Sequence, residues 1–315
     1  MDGILILDKP AGFTSHDVVA KVRRILQEKR VGHTGTLDPF ATGVLVVLVG
    51  RATRLAQFLN SAEKEYEGVI RFGYATDTAD ATGTIRSKTV TNLTSSEFAV
   101  SWDANAIEKA LAAFRGNIEQ IPPMYSAKKQ KGIRLYELAR SGEEVERLPV
   151  MVTVYEFEAM HTNGSLLFHN IDGTCDLTVR VVCSAGTYIR TLAEAVGERL
   201  GIAAHLAALR RTRAGDFRIQ SALTLEELER AVDSAVDAGN VLVSMPLALS
   251  SMRSKSLDCE EARGARHGAT IAISDTLPDG ELVQMCDEAG ELIAIGVYDM
   301  QLKSLRPRVV FATEG

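Results

Sequence analysis

The sequence has no long hydrophobic run and no targeting signal. None of its apolar segments approaches the roughly 18 residues that a helix needs to cross a bilayer. Residues 1–8 lack the basic start and long apolar stretch of a secretory signal, because an acid stands on each side of the short run Ile4–Leu7. We therefore expect a cytoplasmic protein without membrane association.

Cysteine is scarce and scattered. The four cysteines form no C-x-x-C pair, and no histidine lies at metal-ligand spacing beside them. They are Cys175, Cys183, Cys259 and Cys286. This spacing argues against a zinc motif and a disulfide framework, so we expect reduced, mostly buried thiols and no bound metal.

Several catalytic signatures are also missing. The sequence contains no G-x-x-x-x-G-K-[ST] phosphate loop, no G-x-G-x-x-G fingerprint, no H-E-x-x-H and no G-x-S-x-G. These absences weigh against an NTPase, a dehydrogenase, a metalloprotease and a serine hydrolase.

The overall charge is negative, yet basic residues are clustered. A formal net charge of −6 is unusual for a nucleic-acid-binding protein. Binding depends on local patches, however, and three windows are rich in lysine and arginine: Lys21–Arg30, Lys128–Arg140 and Arg210–Arg218. A single cluster of this kind is usually a solvated face, whereas three in one chain favour a polyanionic partner.

The hydrophobic pattern predicts an α+β fold. Apolar runs and alternation indicate strands at Ile4–Leu7, Val44–Val49, Tyr66–Tyr74, Val150–Val154 and Leu177–Cys183. Helices are predicted from Ser15 as N-cap, from Asp103 to a stop at Gly116, and over Ile189–Leu200 before Gly201. The strict strand–helix alternation of a doubly wound fold is absent, so we expect a mixed sheet with helices packed on it.

A domain boundary is predicted near Leu247–Ser256, where the chain is serine-rich and aperiodic. Beyond it we expect a helix over Glu260–His267 and the short strands of a small β-barrel module. These strands are Thr270–Ile273, Leu282–Met285, Leu292–Tyr298 and Arg308–Phe311. The sequence therefore predicts a catalytic domain at 1–247 and a second domain at 248–315.

The segment His33–Leu45 is the strongest candidate for chemistry. Two glycines and Pro39 frame Asp38 immediately before a buried strand, and the proline restricts the backbone of the aspartate to an extended conformation. A rigid loop of this kind suits a catalytic carboxylate. From the spacing alone, an ordinary Asx turn or helix cap at Asp38 is the more common explanation.

Two other segments carry candidate ligand-binding groups. In Cys183–Thr191 a strand ends, a glycine turns the chain, and a helix begins with Tyr188 and Arg190, whose guanidinium suits a carboxylate or phosphate. In Ile121–Tyr136 two tyrosines flank three lysines and one arginine, which suits stacking on bases and contact with phosphates. A surface arginine and a basic loop with packed tyrosines are the alternatives.

Taken together, these segments resemble the TruB family of tRNA pseudouridine synthases. The resemblance covers most of the chain and rests on ordered motifs at family-like spacing. These motifs are Leu7-Asp8-Lys9-Pro10, Gly35-Thr36-Leu37-Asp38-Pro39, Lys64-Glu65-Tyr66, Thr76-Asp77-Thr78, Gly186–Arg190 and Leu209-Arg210-Arg211-Thr212. The C-terminal residues resemble a PUA domain, although this part is acidic.

The resemblance implies an activity. Enzymes of this family isomerise uridine 55 in the T loop of tRNA to pseudouridine, by flipping the base and by cleaving and re-forming the glycosidic bond. It also implies a large, mainly antiparallel synthase sheet with an RNA-gripping insertion at about 120–150. We accordingly expect tRNA as partner, no cofactor and a monomer.

The resemblance also assigns residues. Asp38 matches the catalytic aspartate, Arg190 the arginine that pairs with it and lowers its pKa, and Tyr66 the tyrosine that stacks on the target base. Tyr188 and Leu209 match residues of the uracil pocket, and His33 the residue that fills the gap left by the flipped nucleotide. The remaining predicted RNA contacts are Arg54, where relatives often have lysine, and Lys128, Lys131 and Arg134.

Three other functions remain as alternatives. A guide-RNA-dependent synthase similar to dyskerin usually carries extra terminal segments, and the start of this chain close to its first motif favours a stand-alone enzyme. An RNA-folding chaperone binds tRNA without chemistry. The intact set Asp38, Tyr66 and Arg190 argues against an absence of chemistry, but not against an added chaperone role. An aspartate-based glycosidase needs two carboxylates flanking the bond, and no second acid stands out in the sequence.

Overall fold

The strands and helices are described from a computed structural model, which covers residues 1–88, 102–126, 128–130, 133–135, 145–161, 164–233 and 241–311. The strands are β1 (Gly3–Lys9), β2 (Val31–Thr34), β3 (Thr42–Val49), β4 (Lys64–Phe72), β5 (Tyr74–Thr76), β6 (Ile85–Lys88), β7 (Gly116–Gln120), β8 (Lys129–Gln130), β9 (Ile133–Arg134), β10 (Val150–Met160), β11 (Leu167–His169), β12 (Cys175–Cys183), β13 (Ala204–Ala214), β14 (Phe217–Arg218), β15 (Ser254–Ser256), β16 (Ile271–Ala272), β17 (Leu282–Cys286), β18 (Leu292–Asp299) and β19 (Ser304–Val310). The helices are α1 (Ser15–Ile25), α2 (Ala56–Leu59), α3 (Ala104–Ala112), α4 (Ile189–Leu200), α5 (Leu225–Asp233) and α6 (Cys259–Arg266).

One large sheet organises the chain. Its strands follow the order β1-β3-β13-β4-β12-β10-β7, with β2 added to β3, β11 to β12 and β14 to β13. Neighbouring strands are antiparallel except β3 and β13, which run parallel where Gly43 faces Arg211. A side chain at Gly43 would put its Cβ 2.2 Å from the Arg211 carbonyl oxygen, so this junction requires glycine. The predicted mixed, mainly antiparallel sheet is confirmed.

The first helix shows how a local prediction failed. The N-cap of α1 is Thr14, whose hydroxyl accepts a hydrogen bond from the Asp17 amide at 3.1 Å, while the Asp17 carboxylate accepts one from the Thr14 amide. The prediction that Ser15 is the cap is therefore wrong. The Ser15 hydroxyl is buried and accepts a hydrogen bond from the Leu37 amide at 2.9 Å. It therefore holds the loop between β2 and β3 instead of capping the helix.

Helices α3 and α4 cover one face of the central strands. Alternate side chains of β4, β10, β12 and β13 point into a shared apolar core with these helices. The helix residues in it include Ile107, Leu111, Ile189, Leu192 and Val196. Helix α4 ends, as predicted, at Gly201, which adopts a left-handed conformation with φ of 76°. This packing fixes the start of α4 against the ends of the strands.

Strands β1 and β3 are buried on both faces. On one face Leu5 and Leu45 pack against α1 and α5. On the other, Ile4 and Val46 belong to a cluster that includes Phe311 and other side chains of the C-terminal sheet. Burial on both sides explains why Val44–Val49 is a continuous apolar run instead of an alternating one.

The C-terminal residues form a second, curled sheet of the order β15-β17-β18-β19-β16. It has its own core with α6, whose N-cap is Asp258. The serine-rich stretch that we expected to be irregular contributes strand β15, so that part of the prediction is wrong. A sheet with one helix agrees with the predicted small β-barrel-like module.

Two arginines connect this second sheet to the first. Arg51 forms an ion pair with Asp2 at 2.8 Å and donates a hydrogen bond to the Phe311 carbonyl at 2.5 Å. Arg54 donates to the Val310 carbonyl and lies 5.8 Å from the centre of the Phe311 ring. The two sheets therefore share both an apolar cluster and a polar junction. Within the described ranges, no helix has the length and apolar character that crossing a membrane requires.

Candidate active site

The loop between β2 and β3 presents Asp38 from a rigid frame. Ser15 binds the backbone of Leu37 on one side of the aspartate. On the other side the ammonium of Lys9 donates hydrogen bonds to the carbonyls of Pro10, Phe13 and Pro39, at 2.9, 2.7 and 3.2 Å. Because Lys9 is completely buried, its three bonds hold the loop from inside the protein.

Arg190 in the first turn of α4 meets this carboxylate side-on. Its Nε lies 2.9 Å from Asp38 Oδ2, and its Nη2 donates to Oδ1 at 3.1 Å. The same guanidinium donates to the carbonyls of Thr78 and Tyr125, at 3.0 and 2.7 Å. Two parallel bonds to a carboxylate fix both its position and its orientation. Only 5% of the Arg190 side chain is exposed, against 33% for Asp38, which opens to solvent.

A second carboxylate, that of Asp80, lies beside the Asp38–Arg190 pair. Asp80 Oδ2 lies 3.6 Å from Arg190 Nη1, and this acid is buried. Its Oδ1 accepts hydrogen bonds from the Thr78 hydroxyl at 2.8 Å and from the amide and hydroxyl of Thr82 at 2.9 and 2.6 Å. No second acid stood out in the sequence, but the structure brings Asp80 to the same arginine as Asp38. The sequence hid Asp80 because Thr78–Thr82 has the composition of an ordinary polar turn.

The pKa of Asp38 reflects opposing influences. Burial raises the pKa of the carboxyl above its ordinary value of 3.8. The Arg190 guanidinium lowers it, the negative charge of Asp80 raises it, and Lys9 lowers it. The predicted effect of Arg190 is thus present, but burial outweighs it and the net pKa is raised. The site holds a carboxylate whose ionised form depends on its cations.

A cavity of about 960 Å³ opens above this pair. It is lined by seven residues that the sequence singled out: Asp38, Tyr66, Arg190, His33, Tyr188, Leu209 and Lys128. Tyr66 from β4 and Leu209 from β13 form its apolar floor and are nearly buried. The backbone of Tyr188, the N-cap of α4, is held by the Gln120 side chain through hydrogen bonds of 2.9 and 3.3 Å. A cavity of this size accommodates an extruded nucleotide.

His33 lies in this cavity with His16. The two rings meet edge to face, with centroids 5.3 Å apart. Burial, together with the charges of His16 and Arg211, lowers the pKa of His33 to about 4. The ring is therefore neutral at physiological pH, which favours stacking over binding a phosphate.

Comparison with known proteins matches this geometry to one family. Residues 23–189 match the model of the TruB family pseudouridylate synthase N-terminal domain, and residues 190–245 that of the tRNA pseudouridylate synthase B C-terminal domain. The chain belongs to the TruB family. It is accordingly a pseudouridine synthase, an isomerase that acts on uridine.

Individual relatives agree with the TruB assignment. The chain is 41% identical to tRNA pseudouridine synthase B of Geobacillus thermodenitrificans, over 99% of this chain and 100% of the relative. It is 43% identical to the protein of the same name from Solibacter usitatus, over 94% and 95% of the two chains. Among solved structures, the crystal structure of a Cbf5-Nop10-Gar1 complex matches with a TM-score of 0.71 and 27% identity, over 98% of this chain and 85% of that one. The predicted synthase fold is confirmed.

The predicted RNA contacts of this TruB-family chain fall in different places. Lys128 is exposed and lies on the cavity wall. Arg54 lies outside the cavity at the junction with the C-terminal sheet. Lys131 is outside the described residues, and so is the side chain of Arg134, whose backbone lies in β9. Contact of these four residues with RNA stays a prediction.

Three buried cations around the site belong to motifs quoted from the sequence, where no role was assigned to them. Lys9 and Lys64 are each less than 5% exposed, and Arg211 is 1% exposed. Burial lowers the pKa of both lysines to about 8. The two-residue period of side chains along a strand could have indicated two of them. Lys64 lies two residues before Tyr66, and Arg211 lies two residues after Leu209, so each cation is on the same strand face as a predicted cavity residue. Among the residues that the structure describes, no cluster of His, Cys, Asp and Glu is arranged to bind a metal.

Proposed function

We propose that this enzyme converts uridine 55 in the T loop of tRNA to pseudouridine, with Asp38 acting on the sugar of the flipped nucleotide. The observation that carries the proposal is the parallel pairing of Arg190 with Asp38 at the bottom of a cavity lined by Tyr66, Tyr188 and Leu209. The names of the curated relatives, tRNA pseudouridine synthase B, support tRNA as the substrate.

The chemistry requires an ionised carboxylate. In the isomerisation the C1′–N1 bond breaks, a C1′–C5 bond forms, C5 loses a proton and N1 gains one. Asp38 assists either as a nucleophile at C1′ or as a base at C2′, and both routes begin from the charged form. Since burial raises the pKa of Asp38, the bonds from Arg190 keep its charged form available.

The surrounding residues take the remaining roles. Tyr66, on the cavity floor, stacks on the target base and exchanges a proton at C5. Tyr188 and Leu209 bound the pocket for uracil, and neutral His33 fills the space that the nucleotide vacates in the T loop. Lys128 on the cavity wall contacts phosphate, and Arg54, Lys131 and Arg134 extend the RNA contact.

The C-terminal sheet suits a PUA-like module that contacts the acceptor region of tRNA. Its separate core with α6 supports a division near residue 247. The apolar cluster that it shares with β1 and β3 favours a fixed position relative to the catalytic sheet. A monomer remains our expectation.

The alternatives are less well supported. The higher identity to the TruB enzymes, 41–43% against 27% for the Cbf5 complex, favours a stand-alone enzyme over a guide-RNA-dependent one. A glycosidase needs a free second acid, whereas Asp80 is occupied by Thr78, Thr82 and Arg190.

The test is tritium release from a tRNA transcript labelled at C5 of uridine, comparing the wild type with Asp38→Asn. We expect a loss of about 10³-fold or more with tRNA binding retained, because the substituted amide keeps the shape but not the charge. Asp176→Asn is the matched control, since this acid pairs with Arg71 on the opposite face of the sheet. We expect it to react at the wild-type rate.

A transcript with cytidine at position 55 tests the target nucleotide. If this RNA released tritium as fast as the transcript with uridine at position 55, that position would be refuted as the target. Turnover by Asp38→Asn at the wild-type rate would refute the role of the aspartate. Binding without turnover by the wild type would favour the chaperone alternative.

A further inference from the structure

Arg211 is among the most deeply buried charged side chains described, and the roles proposed above do not use it. Its side chain lies on the cavity wall, yet the residue is only 1% exposed. Its Nε donates to the Val44 carbonyl at 2.7 Å, and its Nη2 donates to the Gly35 carbonyl at 2.9 Å. Burying a guanidinium is costly, so a buried arginine of this kind calls for a reason.

The position of Arg211 in the sheet points at Tyr66. The two residues are directly opposite each other in the antiparallel pair β4–β13. Side chains at such positions lie on the same face with their Cβ atoms about 5 Å apart. Both side chains line the same cavity, and the tyrosine is 8% exposed, so its buried phenol lies within reach of the Arg211 charge.

The neighbouring arginines of β13 behave differently. Arg210 pairs with the Asp8 carboxylate at 2.6 Å, and Arg213 pairs with Glu63 at 2.5 Å and Glu65 at 3.2 Å. Within the described part of the chain, no carboxylate lies within ion-pair distance of Arg211. Its charge is therefore not neutralised by an acid and remains available to the phenol.

The reaction gives this charge a use. A neutral phenol is a weak base, whereas a phenolate can accept the C5 proton, and the electron pair of the C5–H bond then restores the C5–C6 double bond of uracil. The phenolate forms when the Tyr66 phenol gives its own proton to water. When C5 loses its proton, the electron pair of the N1–C6 double bond moves to N1, which takes a proton back from water, so Tyr66 ends the cycle as the phenol with which it began. No other reactant is required.

Several groups act on the phenol from the elements around it. Burial raises the pKa of Tyr66, and Cys183 from β12 and Asp38 from the catalytic loop raise it further. Arg211 from β13 opposes them and lowers the pKa of Tyr66, because a guanidinium near the phenol favours the phenolate. Lys64 lies beside Arg211 and adds a second positive charge nearby.

We propose that Arg211 is a positioning residue for the isomerisation, holding the Tyr66 hydroxyl toward C5 of the flipped uracil and stabilising the phenolate that takes the C5 proton. This inference rests on the proposed role of Tyr66. Arg211 also donates a hydrogen bond to the Gly35 carbonyl, in the loop that carries Asp38. The same arginine therefore contacts that loop and lies opposite Tyr66.

The test is a double-mutant cycle with Arg211→Met, Tyr66→Phe and the combined variant, measured as single-turnover tritium release from tRNA. We expect Arg211→Met to slow the reaction by about 10²-fold in the wild-type background, the scale of a general-base contribution. In the Tyr66→Phe background we expect less than about a threefold change, because the phenolate that Arg211 stabilises is then absent.

Two further measurements separate positioning from support of the fold. Replacing hydrogen by deuterium at C5 reveals whether proton removal limits the rate, and we expect a larger isotope effect in Arg211→Met than in the wild type. Arg211→Lys keeps the charge, so we expect it to restore at least about tenfold of the lost rate. Arg213→Met controls for removal of an arginine from the same strand and should leave the isotope effect unchanged.

The outcomes distinguish this inference from the proposed function. Equal losses from Arg211→Met in both backgrounds, or an unchanged isotope effect, would overturn the role of Arg211 and leave that of Tyr66 intact. A wild-type rate for Tyr66→Phe would overturn the role of Tyr66 itself. If Arg211→Met does not fold, Arg211→Lys in both backgrounds decides the question by the same criterion of additivity.

Discussion

The two faces of the central sheet differ in whether their cationic side chains are paired with carboxylates. On the outer face, cations meet carboxylates at the surface: Arg71 binds Asp176 at 2.7 Å, and Arg180 binds Glu65 at 3.2 Å. On the inner face the buried cations outnumber the buried acids. Among the residues described, four charged groups there are cationic, Lys9, Lys64, Arg190 and Arg211, and Asp80 is the one buried acid.

The difference lies in what binds each cation. Outer-face pairs are neutral and partly hydrated, and each contributes less than about 1 kcal/mol to stability. On the inner face Lys9, Lys64 and Arg211 bind backbone carbonyls, which satisfy their hydrogen bonds without cancelling their charge. The strands thus hold positive charge toward the cavity. The chain's net charge of −6 conceals this local excess, which suits a polyanionic substrate.

The largest expected effect concerns Arg190, the inner-face cation that pairs with Asp38. We expect Arg190→Met to reduce single-turnover activity by about 10²–10³-fold, because Asp38 loses both its orienting bonds and its counter-charge. Arg180→Met removes an arginine from the opposite face of the same sheet and should stay within about twofold of the wild type. Rates of tritium release measure both. Comparable losses in the two variants would show that the faces do not differ in function.

The pH dependence of activity sharpens the comparison. A raised pKa means that Asp38 gains its proton at a higher pH on acidification, so the acid limb of kcat/KM should have an apparent pKa above 3.8. Arg190→Lys keeps the charge but loses the two parallel bonds to Asp38. The acid limb of kcat/KM for this variant should therefore move to higher pH. Arg71→Met should leave the limb in place. A limb that moves to lower pH in Arg190→Lys would contradict this account.

A smaller effect concerns stability. Burial lowers the pKa of Lys64 from 10.5 to about 8, so between these values the unfolded chain binds more protons at this residue than the folded one. The contribution of Lys64 to the free energy of unfolding should therefore rise with pH over that interval. We expect the stability of the wild type relative to Lys64→Met to increase from pH 8 to 10, as measured by urea unfolding.

Arg71→Met on the outer face provides the contrast for this measurement. Arginine stays protonated throughout the interval, so the difference between the wild type and this variant should not depend on pH. A difference that falls with pH for Lys64→Met would mean that burial does not disfavour the charged lysine.

The sequence was most informative where chemistry lies in one segment. The loop around Asp38, the stop at Gly201 and the run Val44–Val49 could all be interpreted from local pattern. The resemblance to the TruB family then indicated Arg190 and Tyr66, which the structure brings to the same cavity as Asp38. Spacing alone had left the aspartate as a possible turn residue.

What could not be predicted depends on distant contacts. Strand β13 was missed, because bulges after Leu206 and Arg211 interrupt its alternation and arginines occupy its inner and outer faces. Ser15 was mistaken for a helix cap because its partner, Leu37, is 22 residues away. The role of Asp80 also depends on Arg190, 110 residues further along the chain, and turn composition does not reveal such a pairing.

The junction at Arg51 has a consequence for the order in which the chain folds. This arginine binds Asp2 near one end and the Phe311 carbonyl, 260 residues further along. A chain emerging from the ribosome can form the first of these bonds early and the second only after 260 further residues have been made. Until then one apolar face of β1 and β3 is only partly covered, and the nascent enzyme exposes a hydrophobic surface of the kind that chaperones bind.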